Sequence, residues 1–372
     1  MLKKKSSVLI VGAGIVGLCN AHELIQQNYN VTLVDKGHEV GLENSTNNSG
    51  VIHSGIYYDQ SSLKSVACIE GKNLLIDFCK AHNINFNLCG KYIIATQSSQ
   101  IERLEELYTN GLSLDLKDIN LIDSHKIKQL LPDLKGLAAI ELPSAGILDV
   151  SQLILFLKNS FTDLGGILML NTKYVKTEAD PYQYQSTLIS SQKEITVKSD
   201  FIINAGGINS LAIANQICPN DDLSTLELKL GRGNYCHYLG HIPFDSLIYP
   251  LPEKHGLGIH ITKNLSGPTK LGPDFKWVNS LNDKIPIGTS DLFYNSLKKI
   301  WPKIDSKKIV SNGIGFRPKL FKADALLNDF LIHTSSLNGG ESYHLLGIES
   351  PGLTASFYIA RDISSRIKER LS

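Results

Sequence analysis

Three glycines near the start of the chain have the spacing of a phosphate-binding turn. Gly12, Gly14 and Gly17 form a GxGxxG pattern directly after an apolar run and at the start of a helical pattern. At these positions, glycines permit a tight turn, close approach of the backbone to a pyrophosphate, and packing of the helix on the strand. The positive end of the helix then faces the phosphates. The pattern therefore predicts that this turn binds a dinucleotide.

An acidic residue at the end of the next strand extends this prediction. Asp35 lies 21 residues after Gly14, where its carboxylate can accept hydrogen bonds from an adenosine ribose. The same carboxylate disfavours a 2′-phosphate and hence NADP, while FAD and NAD both remain open on this motif. Asn28 replaces the glycine that usually ends the helix of this pattern, and asparagine tolerates the left-handed conformation required there. The segment 8–36 is therefore predicted to form one βαβ unit.

Length, composition and charge restrict the class of protein. The chain has 372 residues, of which 42% are hydrophobic and 20% charged, as expected for a globular protein of about two domains. A formal net charge of +1 disfavours nucleic acid as a partner. The six cysteines form no CxxC pair, which favours a reducing compartment and predicts neither a disulfide framework nor a metal site. The apolar run 8–19 is shorter than the roughly 18 to 20 residues needed to cross a bilayer, so no transmembrane segment is expected.

The remaining patterns predict an interleaved architecture of two domains. Helical periodicity is found at residues 61–81, at 101–111 with Gly111 as the end of the helix, and at 151–164. Short strands with frequent glycine and proline between about residues 218 and 325 favour an antiparallel sheet. Because nucleotide-binding patterns lie at both ends of the chain, we expect an α/β fold in which a Rossmann-like cofactor domain is interleaved with an antiparallel-sheet substrate domain. The predicted segments are 1–85, 145–215 and 326–372 for the cofactor domain, and 86–144 and 216–325 for the substrate domain.

Four segments resemble a known flavoprotein family. They are STNNSGVIHSGIYYDQSSLKSVACIEGKNLL at 45–75, GKYIIAT at 90–96, NAGGINS at 204–210 and LLGIESPGLTAS at 345–356. In these segments, and over nearly the whole chain, the sequence is similar to D-amino-acid-oxidase-type flavoproteins, most closely to the L-2-hydroxyglutarate oxidase and dehydrogenase group. The resemblance implies tightly bound FAD, which makes the cofactor domain an FAD-binding domain, and oxidation of a small 2-hydroxy or 2-amino acid.

The resemblance also implies which residues contact FAD. Small residues in the loop 47–58 let backbone amides approach the flavin ring. Amides at the start of the terminal helix stabilise negative charge on the reduced flavin, although an ordinary glycine-rich helix start is the alternative there. The implied contacts are Gly12, Ala13, Gly14, Ile15, Gly17, Asp35, Lys36, Asn48, Ser49, Gly50, Val51, Val175, Ala205, Gly206, Gly347, Ser350, Pro351, Gly352, Leu353 and Thr354.

His53 lies in the segment GVIHSGIYY, which the resemblance places beside the flavin. An imidazole with a pKa near neutrality can take the proton of a substrate hydroxyl while hydride leaves the adjacent carbon. We therefore expect His53 to be the catalytic base. Two alternatives stay open: His53 only positions the loop or the flavin by hydrogen bonds, or it carries a covalently attached flavin.

A substrate carboxylate needs a cationic partner, and Arg317 in NGIGFRPKL matches an arginine segment of the family. A guanidinium group can hold a carboxylate through two parallel hydrogen bonds, so Arg317 is the predicted catalytic-site ligand, with a surface salt bridge as the alternative. Tyr249, His260 and Lys270 are further substrate-binding candidates, each with a purely structural role as the alternative. The family commonly has a basic residue where this chain has asparagines at 47–48, which leaves the charge of the flavin loop open.

These features together predict an FAD-dependent enzyme that oxidises a small L-2-hydroxy acid, with conversion of L-2-hydroxyglutarate to 2-oxoglutarate as the leading candidate. The alternatives are an amino-acid oxidase of the same fold, a non-catalytic flavin-binding protein and a nicotinamide dehydrogenase. The electron acceptor stays open between oxygen, a quinone and a partner protein. The expected location is cytoplasmic, with peripheral membrane contact through the basic terminal helix as a further option.

Overall fold

The computed structural model describes residues 5–179, 183–219, 221, 223–252, 258–265, 267–281, 284–337 and 340–372. Its helices are α1 Ile15–Gln26, α2 Leu63–Ala81, α3 Ile101–Ser113, α4 Ser124–Leu130, α5 Val150–Asp163, α6 Ser210–Ile217, α7 Thr289–Leu297 and α8 Gly352–Leu371. Its strands are β1 Ser7–Val11, β2 Asn30–Val34, β3 Val51–Ile52, β4 Phe86–Asn87, β5 Lys91–Ala95, β6 Asn120–Asp123, β7 Ala138–Leu142, β8 Gly146–Leu148, β9 Ile167–Met169, β10 Thr172–Ala179, β11 Tyr184–Ser190, β12 Lys193–Ser199, β13 Phe201–Asn204, β14 Leu226–Tyr238, β15 Leu247–Pro250, β16 Ile261–Thr262, β17 Thr269–Leu271, β18 Lys276–Val278, β19 Ile309–Lys322, β20 Ala325–Leu326, β21 Leu331–Leu337 and β22 Gly340–Leu346. Within these described ranges, every helix is too short or too polar to cross a membrane.

The chain packs into two compact units, and each unit contains separate stretches of sequence. Unit 1 comprises Met1–Thr46, Val150–Leu230 and Arg317–Ser372, and unit 2 comprises Asn47–Asp149 and Gly231–Phe316. This division differs from the predicted segments in four places: 47–85 and 145–149 lie in unit 2, whereas 216–230 and 317–325 lie in unit 1.

The hydrophobic cores explain where these segments pack. Val51 and Ile56 share a core of unit 2 with Ile93 of β5. Cys218 and Leu320 share a core of unit 1 with neighbouring apolar residues. Apolar side chains distant in sequence therefore set the division, whereas the prediction placed its boundaries by changes in local pattern.

Unit 1 contains a parallel sheet in the order β22, β13, β1, β2, β9, with β21 added antiparallel at one edge. Its central strand β1 is almost entirely buried and apolar, as expected for a strand covered on both faces. Helix α1 packs against α5 and α8. Asn28 has a φ of 70°, which confirms the left-handed conformation predicted for it after α1. The arrangement confirms the Rossmann-like part of the predicted fold.

Unit 2 contains a large mixed sheet that includes β14, β17, β16, β15, β5, β7 and β6 in this order. Most of the neighbouring strands pair antiparallel, as predicted, but β5 and β15 are parallel, with Lys91 opposite Leu247. Alternate residues enter different cores: Ile93 and Tyr249 lie on one face, and Tyr92 and Ile248 on the other. This alternation determines which side chains share the face on which the candidate substrate residues lie.

Gly111 was predicted to end helix α3, and this prediction is wrong. The helix continues to Ser113, and Gly111 is buried inside it. A Cβ atom at Gly111 would lie 2.5 Å from the Cδ1 atom of Ile119 and 3.3 Å from Ile56. Its missing side chain therefore allows close packing. The neighbouring Asn110 side chain donates hydrogen bonds to the carbonyl oxygens of Ile56 and Tyr58, which fixes the loop after His53.

Candidate functional site

The glycine turn after β1 is packed too closely for any side chain. Gly12 has a φ of 108°, and a Cβ atom on it would lie 2.4 Å from the carbonyl oxygen of Ala205. A Cβ atom on Gly17 would lie 1.8 Å from the carbonyl oxygen of Gly12. The turn therefore contacts the loop after β13, where Ala205 and Gly206 were predicted to contact the cofactor. Unit 1 thus brings two of the predicted cofactor loops together.

Helix α1 begins at a glycine, which provides no side-chain cap to the first turn. Gly14 is the N-cap and carries no side chain, while the backbone N–H of Ile15 donates to the Ser45 hydroxyl at 2.8 Å. Asp35 follows β2, and its two oxygens accept the backbone N–H groups of Ala13 and Gly37, each at 2.7 Å. A carboxylate has about four acceptor positions, so these two bonds leave capacity for ribose hydroxyls.

The other predicted cofactor residues of unit 1 lie in loops and at a strand irregularity. The Asn204 side chain accepts the N–H of Gly206 at 3.1 Å and donates to the Ser210 carbonyl at 2.7 Å, which shapes the loop after β13. Val175 lies where the β10–β11 register shifts, so its backbone groups leave the regular ladder. Lys36 is exposed and forms an ion pair with Glu43 at 2.8 Å.

The last helix of unit 1 also begins at a glycine-rich loop. Gly347 has a φ of 66°, and the N-cap Pro351 provides no side-chain hydrogen bond to the first turn of α8. The first N–H groups of a helix have no partners within it and carry partial positive charge. The predicted contacts Ser350, Gly352, Leu353 and Thr354 therefore surround a helix end that favours a negatively charged ligand group.

In unit 2, the predicted flavin loop is held by strands β17 and β19. The Asn48 carbonyl oxygen accepts a hydrogen bond from Lys270 Nζ at 2.6 Å, and the Asn48 side chain accepts the N–H of Gly50 at 2.7 Å. A Cβ atom on Gly315 would lie 2.7 Å from the Asn47 carbonyl oxygen. Burial lowers the pKa of Lys270. Lys270 therefore holds the loop that contains Asn47 and Asn48. Ser49 lies in the same loop, and Val51 begins the short strand β3 that follows it.

His53 directly follows the short strand β3 and is partly buried. Its carbonyl oxygen accepts a weak hydrogen bond from the Cys68 thiol of α2, with the sulfur 3.6 Å away. Helix α2 itself begins with a side-chain cap, because the Ser62 hydroxyl accepts the N–H of Ser65. Contacts from helices α2 and α3 therefore hold the backbone at the predicted base and in the loop that follows it.

Tyr249, His260 and Lys270 lie on one face of the large sheet of unit 2. The β15–β16 register places Tyr249 opposite His260, and their rings stack with centroids 3.7 Å apart. The β16–β17 register pairs Thr262 with Lys270 on the same face. We call this surface the Tyr249 face. Three separately predicted residues are thus brought together by strand pairing.

The comparisons with known proteins assign the chain to a family. The family model described as FAD dependent oxidoreductase, or DAO, matches residues 7–366. The chain belongs to this family. It is therefore an FAD-dependent oxidoreductase, and FAD is its cofactor.

Individual relatives cover nearly the whole chain of this oxidoreductase. The L-2-hydroxyglutarate dehydrogenase of Indibacter alkaliphilus is 30% identical, with 95% of this chain and 96% of the relative covered. The mitochondrial L-2-hydroxyglutarate dehydrogenase of Arabidopsis thaliana is 28% identical over 98% of this chain and 84% of the relative. Among solved structures, FAD-bound L-alpha-glycerophosphate oxidase from Mycoplasma pneumoniae has a TM-score of 0.87 at 25% identity, covering 97% of this chain and 94% of that chain. These similarities confirm the predicted fold class and family.

The residues of unit 1 fit the FAD that the family requires. The turn at Gly12 and Gly17 leaves no space for side chains, and helices α1 and α8 both begin without a side-chain cap from their N-cap residue. We propose that the first helix end holds the pyrophosphate, that Asp35 holds the ribose, and that the start of α8 contacts the flavin.

Replacing Gly17 with alanine tests this assignment. The new methyl group would overlap the Gly12 carbonyl oxygen and force the turn apart, so the purified oxidoreductase is expected to hold less than about a tenth of the wild-type flavin. Flavin absorbance per protein, measured after gel filtration, checks this. Gly313→Ala is the matched control, because a Cβ atom there has no neighbour within 4 Å. Full flavin content in Gly17→Ala would contradict the assignment.

Lys91, the first residue of β5, was not among the site residues predicted from the sequence. Lys91 is fully buried on the Tyr249 face, and its Nζ atom lies 4.8 Å from the ring centroid of Tyr57 and 4.7 Å from that of Tyr249. Burial lowers its pKa to about 7. The sequence offered only a weak signal, a lysine beside the apolar run of GKYIIAT, because burial of all residues of β5 is visible only in the structure.

Arg232 is a second buried cation that the sequence analysis did not select. It is 6% exposed, in the middle of β14, between Gly231 and Gly233. Cβ atoms on these glycines would lie 2.4 Å from Phe275 and 2.6 Å from Pro273, so both are small for packing reasons. Arg317 lies in β19 and is partly buried, and the described residues provide no ion-pair partner for it. The alternative of a salt bridge for Arg317 therefore finds no support among them.

Unit 1 also contains a polar cluster away from these loops. Cys218, Asp221 and His333 have possible ligand atoms within 4.8 Å of one another. His333 Nε2 lies 2.6 Å from Asp221, and the Cys218 sulfur lies 3.6 Å from His344 Nε2. Burial lowers the pKa of His344 to about 4. These contacts account for the cluster as a hydrogen-bonded network beside the end of α6.

Proposed function

We propose that this oxidoreductase converts L-2-hydroxyglutarate to 2-oxoglutarate. The observation that carries the proposal is similarity over nearly the full length to relatives named for this substrate. The cations that the structure places in unit 2 support it, since a dicarboxylate requires positive charge. A cation-lined site is less suited to a neutral alcohol or a simple amine.

The proposed reaction removes two electrons and two protons from the carbon and oxygen of a secondary alcohol. When bound, FAD supplies the acceptor for the hydride that leaves the carbon. We propose that the His53 imidazole accepts the hydroxyl proton, so that negative charge on the oxygen can expel the hydride. The loop contacts from Cys68 and Asn110 hold the backbone around His53 and limit its movement during this transfer.

Arg317 is proposed to bind a carboxylate of the substrate. Replacing it with methionine is expected to raise KM by about 30-fold or more, because a charge-assisted contact of this kind contributes about 2 kcal/mol or more. Arg317→Lys should recover only part of the loss, since lysine lacks the planar fork. Steady-state kinetics check this, with Arg361→Met on the exposed side of α8 as the control. An unchanged KM in Arg317→Met would contradict the role.

The proposed substrate is tested by steady-state turnover of a matched panel. L-2-hydroxyglutarate, its D enantiomer, L-glutamate and glycerol 3-phosphate differ in stereochemistry, in the oxidised group or in the anionic group. The proposal expects the highest kcat/KM for L-2-hydroxyglutarate. A preference for L-glutamate would assign an amino-acid oxidase instead, and flavin-loaded protein that oxidises none of them would favour a non-catalytic role.

We also propose a cytoplasmic location. All six cysteines lie among the described residues, and each is reduced rather than part of a disulfide, as expected in a reducing compartment. The basic terminal helix is partly neutralised, because Arg366 pairs with Asp362 at 2.9 Å. Recovery of the protein in the supernatant after ultracentrifugation of a lysate would support this location, and sedimentation with membranes would contradict it.

A further inference from the structure

Lys91 is a buried lysine for which the described part of the chain supplies no counter-ion. Its side chain is fully buried, and its Nζ atom has no hydrogen-bond partner among the described residues. No carboxylate of the described residues forms an ion pair with it. Burying an ammonium group without a partner is costly, so the pKa of such a lysine falls unless a ligand supplies the missing negative charge.

The groups around Lys91 can solvate it only weakly. The Nζ atom lies over the ring faces of Tyr57 and Tyr249. The Cys68 thiol is also close enough to affect the pKa of Lys91. Two of these neighbours are neutral near pH 7, because burial raises the pKa of Cys68 to about 12 and the pKa of Tyr57 well above its ordinary value. His260 is a further titratable group on this face and stacks on Tyr249, while Lys72 and Tyr58 act on the pKa values of Cys68 and Tyr57.

Other buried polar atoms on this side of the sheet also lack a hydrogen-bond partner among the described residues. The Tyr57 hydroxyl oxygen is buried and makes no hydrogen bond to a described residue. The same holds for the hydroxyl of Thr262, which is fully buried and lies on the Tyr249 face with Lys91. Buried polar groups in proteins are normally hydrogen-bonded, so unsatisfied ones on a single face indicate a ligand site.

We propose that Lys91 is the cation that receives a carboxylate group of the substrate on the Tyr249 face, with the Tyr57 hydroxyl donating a second hydrogen bond to it. This inference rests on the proposed function for the identity of the anion. It gives Lys91 a binding role, because an ammonium group paired with a carboxylate holds the substrate in place. A neutral lysine acting as proton acceptor is the competing role, and the experiments below separate the two.

Anion binding at Lys91 must be linked to proton uptake. Burial lowers the Lys91 pKa to about 7, so the empty site is largely deprotonated at pH 8. A carboxylate beside Nζ restores the charged form. Affinity for a fully ionised dicarboxylate is therefore expected to approach a plateau below pH 7 and to fall as the pH rises above it.

Calorimetric titration of the FAD-loaded protein with glutarate, a dicarboxylate that lacks the oxidisable hydroxyl, measures this linkage directly. At pH 8, in two buffers of different ionisation enthalpy, we expect uptake of about 0.9 proton for each glutarate bound. Binding without proton uptake would overturn the inference, as would the absence of glutarate binding to the wild-type protein.

Lys91→Met and a matched control variant identify the group that takes up the proton when glutarate binds. The control is Lys72→Met. Lys72 also affects the pKa of Cys68, but unlike Lys91 its Nζ atom donates a hydrogen bond to the Ser144 hydroxyl at 2.9 Å. We expect Lys91→Met to lose the proton uptake and to raise KM by at least about 30-fold while kcat changes less, and Lys72→Met to retain both. Proton uptake that persists in Lys91→Met, or a large loss of kcat at unchanged KM, would overturn the binding role.

The two proposals fail in different ways. If wild-type protein oxidises L-2-hydroxyglutarate but Lys91→Met has the same KM and the same proton uptake, only the inference about Lys91 fails. If glutarate binds with proton uptake that depends on Lys91 while L-2-hydroxyglutarate is not oxidised, the anion site stands and the proposed substrate fails.

Discussion

Replacing His53 with alanine is expected to slow substrate oxidation by about two to four orders of magnitude while flavin content stays near that of the wild type. The reason is chemical. A secondary alcohol releases hydride readily only as its hydroxyl proton leaves, and alanine offers no acceptor for that proton. The backbone around residue 53 is held by Cys68 and Asn110 independently of the imidazole, so the loop should keep its conformation.

The reductive half-reaction measures this effect without interference from the electron acceptor. FAD-loaded protein is mixed rapidly with L-2-hydroxyglutarate in the absence of oxygen, and loss of the oxidised flavin absorbance is followed. His125→Ala is a suitable control, since His125 is exposed on α4 in unit 2. An unchanged rate of flavin reduction in His53→Ala would remove the base role and leave a positioning role. Flavin that remains on the denatured wild-type chain, but not on denatured His53→Ala, would instead identify a covalent link.

Replacing Lys91 with methionine is expected to stabilise the substrate-free protein in a pH-dependent manner. The pKa of Lys91 falls from 10.5 to about 7 on folding, because burial disfavours the charged form. The lowered pKa therefore reduces the free energy of unfolding by the largest amount below pH 7. This reduction becomes smaller as the pH rises and vanishes near pH 10.5. Converted at about 1.4 kcal/mol for each pKa unit, it amounts to about 3–5 kcal/mol at pH 6.

Urea unfolding of both proteins at pH 6 and pH 9.5 checks this second prediction. The free energy of unfolding of Lys91→Met should exceed that of the wild type by several kcal/mol at pH 6, and by about 1 kcal/mol at pH 9.5. Lys72→Met should not show this pH dependence, because the Lys72 ammonium has a hydroxyl partner. Destabilisation of Lys91→Met at pH 6 would mean that Lys91 has a counter-charge in the folded protein.

The cofactor-binding part of the fold was predictable because its determinants are local. The GxGxxG turn, the following helix and Asp35 lie within one βαβ unit, and each demands a specific backbone conformation. Even the departure at Asn28 followed from local physics, since its φ of 70° is a conformation that asparagine tolerates.

The substrate side was less predictable because it depends on strand pairing across long stretches of sequence. The parallel pairing of β5 with β15 brings Lys91 beside Tyr249, which is 158 residues later in the chain. In the sequence, Lys91 only begins the apolar run of β5, and a lysine at a strand end can equally extend its charged group into solvent. Gly111 was misinterpreted for a related reason, because its close neighbour Ile119 becomes apparent only in the folded protein.

Anaerobic titration of the FAD-loaded protein with L-2-hydroxyglutarate tests the central claim most directly. We expect the yellow colour of the oxidised flavin to disappear in proportion to added substrate, with one 2-oxoglutarate formed for each flavin reduced. Flavin that stays oxidised in the presence of excess L-2-hydroxyglutarate would contradict the proposed reaction.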